Sequence, residues 1–350
     1  MPASVFKFSA VIPIAWPNTT ARSPEKLSQF LRKIGVLKNV NLLVGHAAIL
    51  VAKHNVFIYA DFGRYITPNG FGRTRTAETD PKLTLKTIPE WSASGDLLNF
   101  EEVCSELESI NKATHGDGAL YASIMYQLDI EKVLQTISEY QLQGYVPYSG
   151  LKKNESNCAR FVATAIQAGL DRSSIIYKRF LRPSTIAPTP FFNVIAANLE
   201  GKYFIWNKGT GDWFNCKISA ARTDILKKIS YSFSSKRAKL LPTDARIGQL
   251  HAPDRHSSIP VSANYLGGIG EGAWHVLEKY DDSHLKKSRY FVDGYFEYEN
   301  IYEVDEDWVK EFENNLVQIT YDTHFSWITL LHIEWNKKKR FYARNSSYKQ

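Results

Sequence analysis

The stretch VNLLVGHAAILVAKHNVFIYADFG, residues 40–63, decides the fold of the N-terminal part of the chain. Its first half is an almost continuous apolar run, which is typical of a strand buried on both faces. A turn at Lys53-His54-Asn55 separates this run from VFIYADFG, which predicts a neighbouring strand. Two such strands predict the centre of an antiparallel sheet.

A second apolar pattern follows a break in the chain. The stretch GYVPYSGLKKNESN, residues 144–157, contains glycine, proline and serine residues that interrupt regular structure. The next residues, CARFVATAIQAGL, carry apolar side chains at three- and four-residue spacing, with Ser156 or Asn157 as a cap and Gly169 as a stop. This pattern predicts a helix whose first turn contains Cys158.

Three other segments have helical periodicity. Residues 23–37 open with SPEK, in which a serine cap precedes proline and glutamate, and they predict a short amphipathic helix that ends at Gly35. Residues 99–111 and 121–143 predict two further helices.

The segment after the two predicted strands has a different composition. Residues 64–82 are rich in Gly, Arg, Thr and Pro, which predicts a surface loop that forms a lid or a rim. On this interpretation Arg73, Arg75 and Glu78 are solvated. The following LTLKTIP, residues 83–89, alternates like a strand.

The second half of the chain is richer in strand-like sequence. Short pieces, among them FFNVIAANL and ISYSFSS, surround a basic helix at residues 220–228, and residues 240–261 resemble a linker. Long alternating segments then continue to the C-terminus. We predict an α+β fold with a sheet and packed helices at residues 1–200, a connecting segment at residues 201–250, and a β-rich C-terminal domain at residues 251–350.

Composition excludes several classes of protein. The 350 residues are 44% hydrophobic and 23% charged, which is typical of a globular protein rather than a disordered one. No window offers about 18 consecutive apolar residues, so we expect no membrane span, and the start of the chain lacks a signal-peptide pattern. The net charge of +7 comes from dispersed basic residues, so we expect no specific nucleic-acid binding.

The spacing of the cysteine, histidine and glycine residues argues against disulfide, metal and nucleotide sites. Cys104, Cys158 and Cys216 are widely spaced, which predicts neither a disulfide framework nor a metal knuckle and favours a reducing, cytoplasmic location. The histidines lack ligand spacing on a shared element, so we expect no metal. The glycine-rich residues 267–272 lie between strand-like segments, which predicts a tight β-turn rather than a nucleotide loop. We expect no cofactor.

Cys158 and His46 are the candidate catalytic pair. A thiol at a helix N-terminus is favoured as a thiolate by the local dipole and unpaired N–H groups. His46 opens the predicted buried strand, which is a rigid platform for a base. A polar group is expected to orient the imidazole, and Asp61 on the next strand is the candidate, with Tyr59 as the alternative.

These residues resemble the permuted branch of the NlpC/P60 papain-like superfamily, which includes lecithin:retinol acyltransferase-like enzymes and bacterial relatives. The helix often reads NCEHFV in that branch, and this chain has NCARFV at residues 157–162. The histidine precedes the cysteine, as the permuted order requires. The third polar residue of the family is commonly His or Glu near residues 58–61, where this chain has Tyr59 and Asp61.

The whole chain also resembles an uncharacterised family of Bacteroidetes proteins. That family has a papain-like front and a β-rich tail with a GIG-x-G-x-W stretch, here Gly268 to Trp274. The resemblance to the permuted branch implies a papain-like fold for the first 200 residues. It also implies acyl transfer through a cysteine thioester, with a peptide-like or acyl substrate.

We therefore predict a cysteine hydrolase that cleaves an amide bond of a peptide or of a murein-like substrate. The alternatives are a lipid-directed acyl hydrolase or acyltransferase and an inactive binding module. Tyr148, in the loop before the helix, is a candidate for the oxyanion site, as family members often place a loop there. Arg64, Arg73 and Arg75 are candidates for binding an anionic substrate.

Overall fold

The computed structural model describes residues 8–23, 26–150, 152, 154–183, 185–242 and 249–346. The predicted cap of the first helix at SPEK lies partly outside the described residues, as does the start of the chain. The strands are β1 (Ser9–Trp16), β2 (Thr20–Arg22), β3 (Asn41–Leu43), β4 (His46–Lys53), β5 (Val56–Gly63), β6 (Phe71–Arg75), β7 (Leu120–Ala122), β8 (Val146–Pro147), β9 (Lys202–Asn207), β10 (Thr210–Asn215), β11 (Asn264–Leu266), β12 (Ala273–Asp281), β13 (His284–Phe291), β14 (Phe296–Glu303), β15 (Val317–Ile319), β16 (Trp327–His332) and β17 (Lys337–Tyr342).

The helices alternate with these strands in the first 230 residues and become rare afterwards. They are α1 (Lys26–Lys33), α2 (Phe100–Ser109), α3 (Asn111–Thr114), α4 (Ile130–Leu142), α5 (Cys158–Gly169), α6 (Ile175–Leu181), α7 (Pro190–Ala196), α8 (Ala220–Ser230) and α9 (Glu306–Glu313). Among the described residues, no helix has the length and apolar character needed to cross a bilayer.

An eight-stranded sheet in the order β10-β9-β7-β1-β4-β5-β6-β8 forms the N-terminal part of the structure. Each pair of neighbouring strands is antiparallel. The central strand β4 pairs with β1 along its whole length, from Ser9 opposite Lys53 to Trp16 opposite His46. All of its residues except Lys53 are buried. The prediction of a central buried strand is confirmed.

Both faces of this sheet are covered, because alternate residues of β1, β4 and β5 point to opposite sides. One face, which includes Ile49 and Phe62, packs on α4, α5 and α7. The other face, which includes Leu50 and Tyr59, packs on α2. The mixed α and β character with a large antiparallel sheet is confirmed, and the permuted papain-like topology stays a prediction.

The C-terminal part contains a four-stranded sheet, β11-β12-β13-β14, and a three-stranded sheet, β15-β16-β17. Both contribute to one apolar core with α9, and Ile66 of the N-terminal part joins this core. The β-rich C-terminal domain is confirmed. Strands β9 and β10 belong to the eight-stranded sheet, so the N-terminal sheet includes residues 202–215. The domain boundaries at residues 200 and 250 stay predictions.

Two predictions for residues 64–89 are wrong. Residues 71–75 form strand β6, and Arg73 and Arg75 are 4% and 2% exposed rather than solvated. Residues 83–89 do not form a strand, because the Glu106 carboxylate accepts hydrogen bonds from two of their N–H groups, which a strand would donate to a neighbouring strand.

Three further element predictions need correction. Residues 121 and 122 of the predicted helix at 121–143 belong to strand β7, which pairs with β1 and β9, and helix α4 begins only at Ile130. FFNVIAANL contributes to helix α7, since Thr189 caps the helix and Pro190 occupies its first position. ISYSFSS lies at the end of α8 and in a 3₁₀ turn, and Ser232 is the one residue of the segment that is buried.

The packing of α5 on the sheet predicts a large stability loss for Phe161→Ala. The Phe161 side chain is fully buried, with ring centroids 5.3 Å from Tyr140 and 6.0 Å from Phe62. Its removal should lower the free energy of unfolding by about 3–5 kcal/mol in urea titrations. The matched control is Phe214→Ala, at a side chain 45% exposed, where we expect a loss below about 1 kcal/mol. Equal losses would contradict the described packing.

Candidate functional site

Cys158 and His46 meet at the junction of α5 and β4. Cys158 is the first residue of α5 and His46 is the first residue of β4, and they are 8% and 7% exposed. The Cys158 thiol interacts with the imidazole closely enough to raise the pKa of His46. Both side chains line the same cavity. The predicted nucleophile and base are therefore brought together.

Local backbone features fix the positions of both residues. The Asn157 side chain caps α5 by accepting a hydrogen bond from the Arg160 N–H at 2.9 Å, and it donates to the Ser149 carbonyl at 3.0 Å. Gly45, directly before His46, has φ +77°, and a Cβ there would lie 3.0 Å from the Trp16 carbonyl oxygen. Only glycine adopts this backbone without strain, so Gly45 sets the direction in which His46 enters the strand.

Asp61 contacts the imidazole from the neighbouring strand. Its Oδ2 lies 3.2 Å from His46 Nε2, and the Tyr59 hydroxyl donates to the same oxygen at 3.0 Å. Arg75 donates from Nε to Oδ1 at 3.0 Å and from Nη2 to Oδ2 at 2.6 Å. The Asp61 side chain is fully buried. Asp61 thus contacts His46 directly, whereas Tyr59 reaches His46 through Asp61.

The charges of this group shift the pKa values of its members. Burial favours the neutral imidazole, but the interactions with Asp61 and Cys158 outweigh it and raise the pKa of His46 to about 9. Burial alone would raise the pKa of Asp61, but the Arg75 charge and the hydrogen bonds from His46 and Arg75 hold it well below its ordinary value. The arrangement favours an imidazolium beside a carboxylate.

Aromatic side chains enclose the imidazole. The Trp16 ring stacks on His46 with centroids 5.8 Å apart, and the Tyr65 hydroxyl lies 3.4 Å from His46 Nε2. The Tyr65 ring itself stacks on His115, with centroids 4.8 Å apart. The sequence does not predict Trp16, Tyr65 or His115 at this site, because each lies in a segment without a motif.

The cavity beside Cys158 is small and lined by both polar and apolar groups. Its volume is about 60 Å³, and its walls include Tyr148, Arg64 and Tyr65. Burial and the charge of Cys158 hold the pKa of the Tyr148 hydroxyl above its ordinary value. Of the three arginines proposed for substrate binding, Arg64 lines the cavity. Arg73 and Arg75 donate to Asp80 and Asp61, respectively.

The C-terminal domain contributes one wall of the cavity. Ile269 and Gly270 line it, and the Gly270 N–H donates to the Arg64 carbonyl at 2.8 Å. The Ile66 N–H donates to the Glu271 carbonyl, also at 2.8 Å. Residues 267–272 join β11 to β12, so the expected strands flank them, but they form a six-residue docking loop rather than a tight turn.

Ion pairs extend from Asp61 into this loop. Glu271 Oε2 lies 3.7 Å from Arg75 Nη1 and 3.4 Å from His115 Nε2, while Oε1 accepts from Arg289 at 2.5 Å. Burial alone would raise the pKa of the Glu271 carboxyl. The Arg289 charge is the largest of the interactions that outweigh burial and lower this pKa to about 2. Arg289 also lies 3.2 Å from Asp80. The buried charges of the two domains therefore form one network.

The sequence contains a weak signal for part of this network. FGRTR at residues 71–75 alternates, and it follows the Pro-Asn-Gly of residues 68–70, which four residues separate from the strand that ends in ADFG. A hairpin interpretation would have placed Arg75 beside Asp61, as the observed register does. Nothing local in the sequence predicts the pairing with Glu271. Among the described residues, no group of three or more His, Cys, Asp or Glu side chains is arranged to hold a metal.

Two family models match parts of the chain. One, for type VI secretion system effector TseH-like proteins, matches residues 11–175, which include His46, Asp61 and Cys158. The other, the DUF6695 C-terminal domain, matches residues 263–342, which include β11 to β17. No curated protein and no solved structure matches the chain. The chain is thus similar to a secretion effector family over most strands of the eight-stranded sheet and the Cys158 helix, and to a separate family over its β-rich domain.

The raised pKa of His46 predicts a pH dependence of stability. In the unfolded chain the histidine has its ordinary pKa of about 6.5, against about 9 in the folded protein. The stabilisation is complete below about pH 6.5 and is lost as the pH rises through 9, and it amounts to about 3 kcal/mol. Urea titrations from about pH 6 to pH 10 should show this loss in the wild type, and a smaller loss in His46→Asn.

His54→Asn is the control for this measurement, because His54 is an exposed turn residue far along the strand from the site. This variant should lose free energy of unfolding with rising pH as steeply as the wild type does. An identical slope in His46→Asn and the wild type would show that His46 is not stabilised as an imidazolium.

Proposed function

We propose that the protein is a cysteine hydrolase that cleaves amide bonds through a thioester on Cys158. The observation that carries this proposal is the contiguous arrangement of Cys158, His46 and Asp61, in which each side chain contacts the next. Acyl transfer by a thiol needs a nucleophile, a base beside it and a group that orients the base, and Cys158, His46 and Asp61 stand in this order. The permuted papain-like topology is part of the same proposal.

The first step is acylation. In the reactive form His46 already holds the thiol proton as an imidazolium, and Cys158 Sγ attacks the carbonyl carbon while the carbonyl π electrons move to oxygen. Since Asp61 and Tyr65 are on the Nε2 side of the ring, Nδ1 is the nitrogen available to the thiol. The oxyanion develops near the start of α5, where backbone N–H groups and the Tyr148 hydroxyl can donate to it.

The second step breaks the amide and releases the acyl group. The tetrahedral intermediate collapses, the C–N bond breaks, and the His46 imidazolium gives its proton to the leaving amine. Water then attacks the thioester while His46 takes its proton, and the carboxylic acid leaves as Cys158 recovers its thiol. Another nucleophile in place of water would make the protein a transferase.

Asp61 keeps the imidazole oriented and compensates its charge during both steps. Its own position depends on Arg75 and Tyr59, which occupy its two oxygens. Glu271, on the C-terminal domain, lies 3.7 Å from Arg75. The C-terminal domain therefore supports the geometry of the site as well as forming one wall of the cavity.

The substrate class follows from the lining and the comparisons. A small cavity with Arg64, His46 and Tyr148 in its walls suits a polar amide better than an acyl chain, which favours a peptide over the lipid-directed alternative. The similarity to a type VI secretion effector family supports a hydrolase that attacks a target-cell component. We propose the peptide part of peptidoglycan as that component.

The acylation step can be tested with p-nitrophenyl acetate, an activated ester that does not depend on the natural substrate. We expect a single acetyl group on Cys158, detected by intact mass and peptide mapping. Cys158→Ala and His46→Ala should reduce the burst of p-nitrophenol by about a thousandfold. Cys216→Ala, at a partly exposed thiol outside the cavity, should leave the burst unchanged. Equal bursts in Cys158→Ala and Cys216→Ala would contradict the proposal.

The amide specificity can be tested on purified peptidoglycan. Wild-type protein should release fragments with new amino termini, detected by liquid chromatography and mass spectrometry, and Cys158→Ala should release none. If Cys158 is acetylated but peptidoglycan is not cleaved, Cys158 is still supported as the nucleophile, whereas peptidoglycan is rejected as the substrate.

A further inference from the structure

Arg64 is a buried cation beside the proposed nucleophile. It follows β5 directly, it is 7% exposed, and its Nη1 is buried without a hydrogen-bond partner. In the part of the chain that the structure describes, no carboxylate forms an ion pair with its guanidinium. Burial lowers the pKa of Arg64 and outweighs the charges of Tyr148, Cys158 and Tyr65, which raise it; the Arg22 charge acts in the same direction as burial.

This lack of a counter-ion distinguishes Arg64 from the other buried arginines near the site. Arg73, Arg75 and Arg289 each pair with a buried carboxylate. A buried charge without a partner costs several kcal/mol, so proteins rarely keep one that has no role. The Arg64 guanidinium thus has unused capacity to bind an anion.

The position of Arg64 is fixed from two sides. Its guanidinium carbon lies 5.0 Å from the centroid of the Tyr148 ring, and its carbonyl accepts a hydrogen bond from the Gly270 N–H. It lines the same cavity as Cys158 and His46. A rigid cation in the wall of a cavity of about 60 Å³ must lie close to any group bound there.

We propose that Arg64 binds a carboxylate of the substrate next to the amide that Cys158 attacks. The guanidinium fork matches a carboxylate, and such a pair is stronger in a buried cavity than in water. The proposal rests on the proposed function and narrows it: the preferred acyl donor is an amide whose neighbouring atoms carry a free carboxylate. A neutral analogue of that donor leaves the Arg64 charge uncompensated and binds more weakly.

A second explanation gives Arg64 a different role, in which its charge only stabilises the Cys158 thiolate. The two roles differ in one measurable respect. A cation that acts on the thiolate speeds the reaction of Cys158 with every alkylating reagent. A carboxylate site speeds the reaction with an anionic reagent more than with a neutral one of the same size.

Iodoacetate and iodoacetamide provide this comparison. The rates of Cys158 with both reagents are measured by peptide mass spectrometry in the wild type, Arg64→Gln and Arg64→Lys, with Cys216 as the internal reference thiol. We expect the iodoacetate-to-iodoacetamide ratio at Cys158 to exceed the ratio at Cys216. It should fall by roughly tenfold in Arg64→Gln and less in Arg64→Lys. Circular dichroism checks that each variant is folded.

A protection assay on the wild type avoids variants altogether. N-acetylglycine, which carries a carboxylate, should slow iodoacetamide labelling of Cys158 at concentrations where N-acetylglycinamide does not. The carboxylate site would be overturned if the iodoacetate-to-iodoacetamide ratio at Cys158 were equal in the wild type and Arg64→Gln. Equal protection by N-acetylglycine and N-acetylglycinamide would overturn it as well. Failure of the proposed function has a different signature, in which Cys158 reacts with iodoacetamide no faster than Cys216 and His46→Ala changes nothing.

Discussion

The buried carboxylate of Asp61 is the group on which the site depends. Three neighbouring strands, β4, β5 and β6, meet at it, because His46, Tyr59 and Arg75 all contact its oxygens. A fully buried carboxylate without such partners would be strongly destabilising. The strands must therefore keep this register, and the same register holds His46 against the start of the Cys158 helix.

The buried charges also explain why the two domains are joined at this point. Arg75 lies between Asp61 and Glu271, and Glu271 is held by Arg289 of the β-rich domain. Removing one partner of a buried ion pair typically costs about 3–5 kcal/mol, because a charge is left uncompensated. The docking loop at residues 267–272 is consequently a structural part of the site, although it lies more than a hundred residues after Cys158.

Parts of this arrangement could be predicted from the sequence, and the reasons differ from residue to residue. Cys158 and Asn157 could be predicted locally, since the helix cap and the helical spacing lie within a few turns of the chain. His46 could be predicted because it opens an almost continuous apolar run. FFNVIAANL was misleading, because a continuous apolar run suits a buried helix as well as a strand. Arg75, Glu271 and Tyr65 depend on contacts between distant segments, which no local pattern encodes.

The central claim is that Cys158 is a nucleophile that His46 activates. The most direct measurement is the rate of Cys158 alkylation by iodoacetamide as a function of pH, in the wild type, Asp61→Asn and His46→Ala. The account predicts fast labelling already at about pH 6, well below the range where an ordinary thiol reacts. It predicts slower labelling in Asp61→Asn and the slowest in His46→Ala. A wild-type profile that matches Cys216 and does not change in either variant would contradict the account.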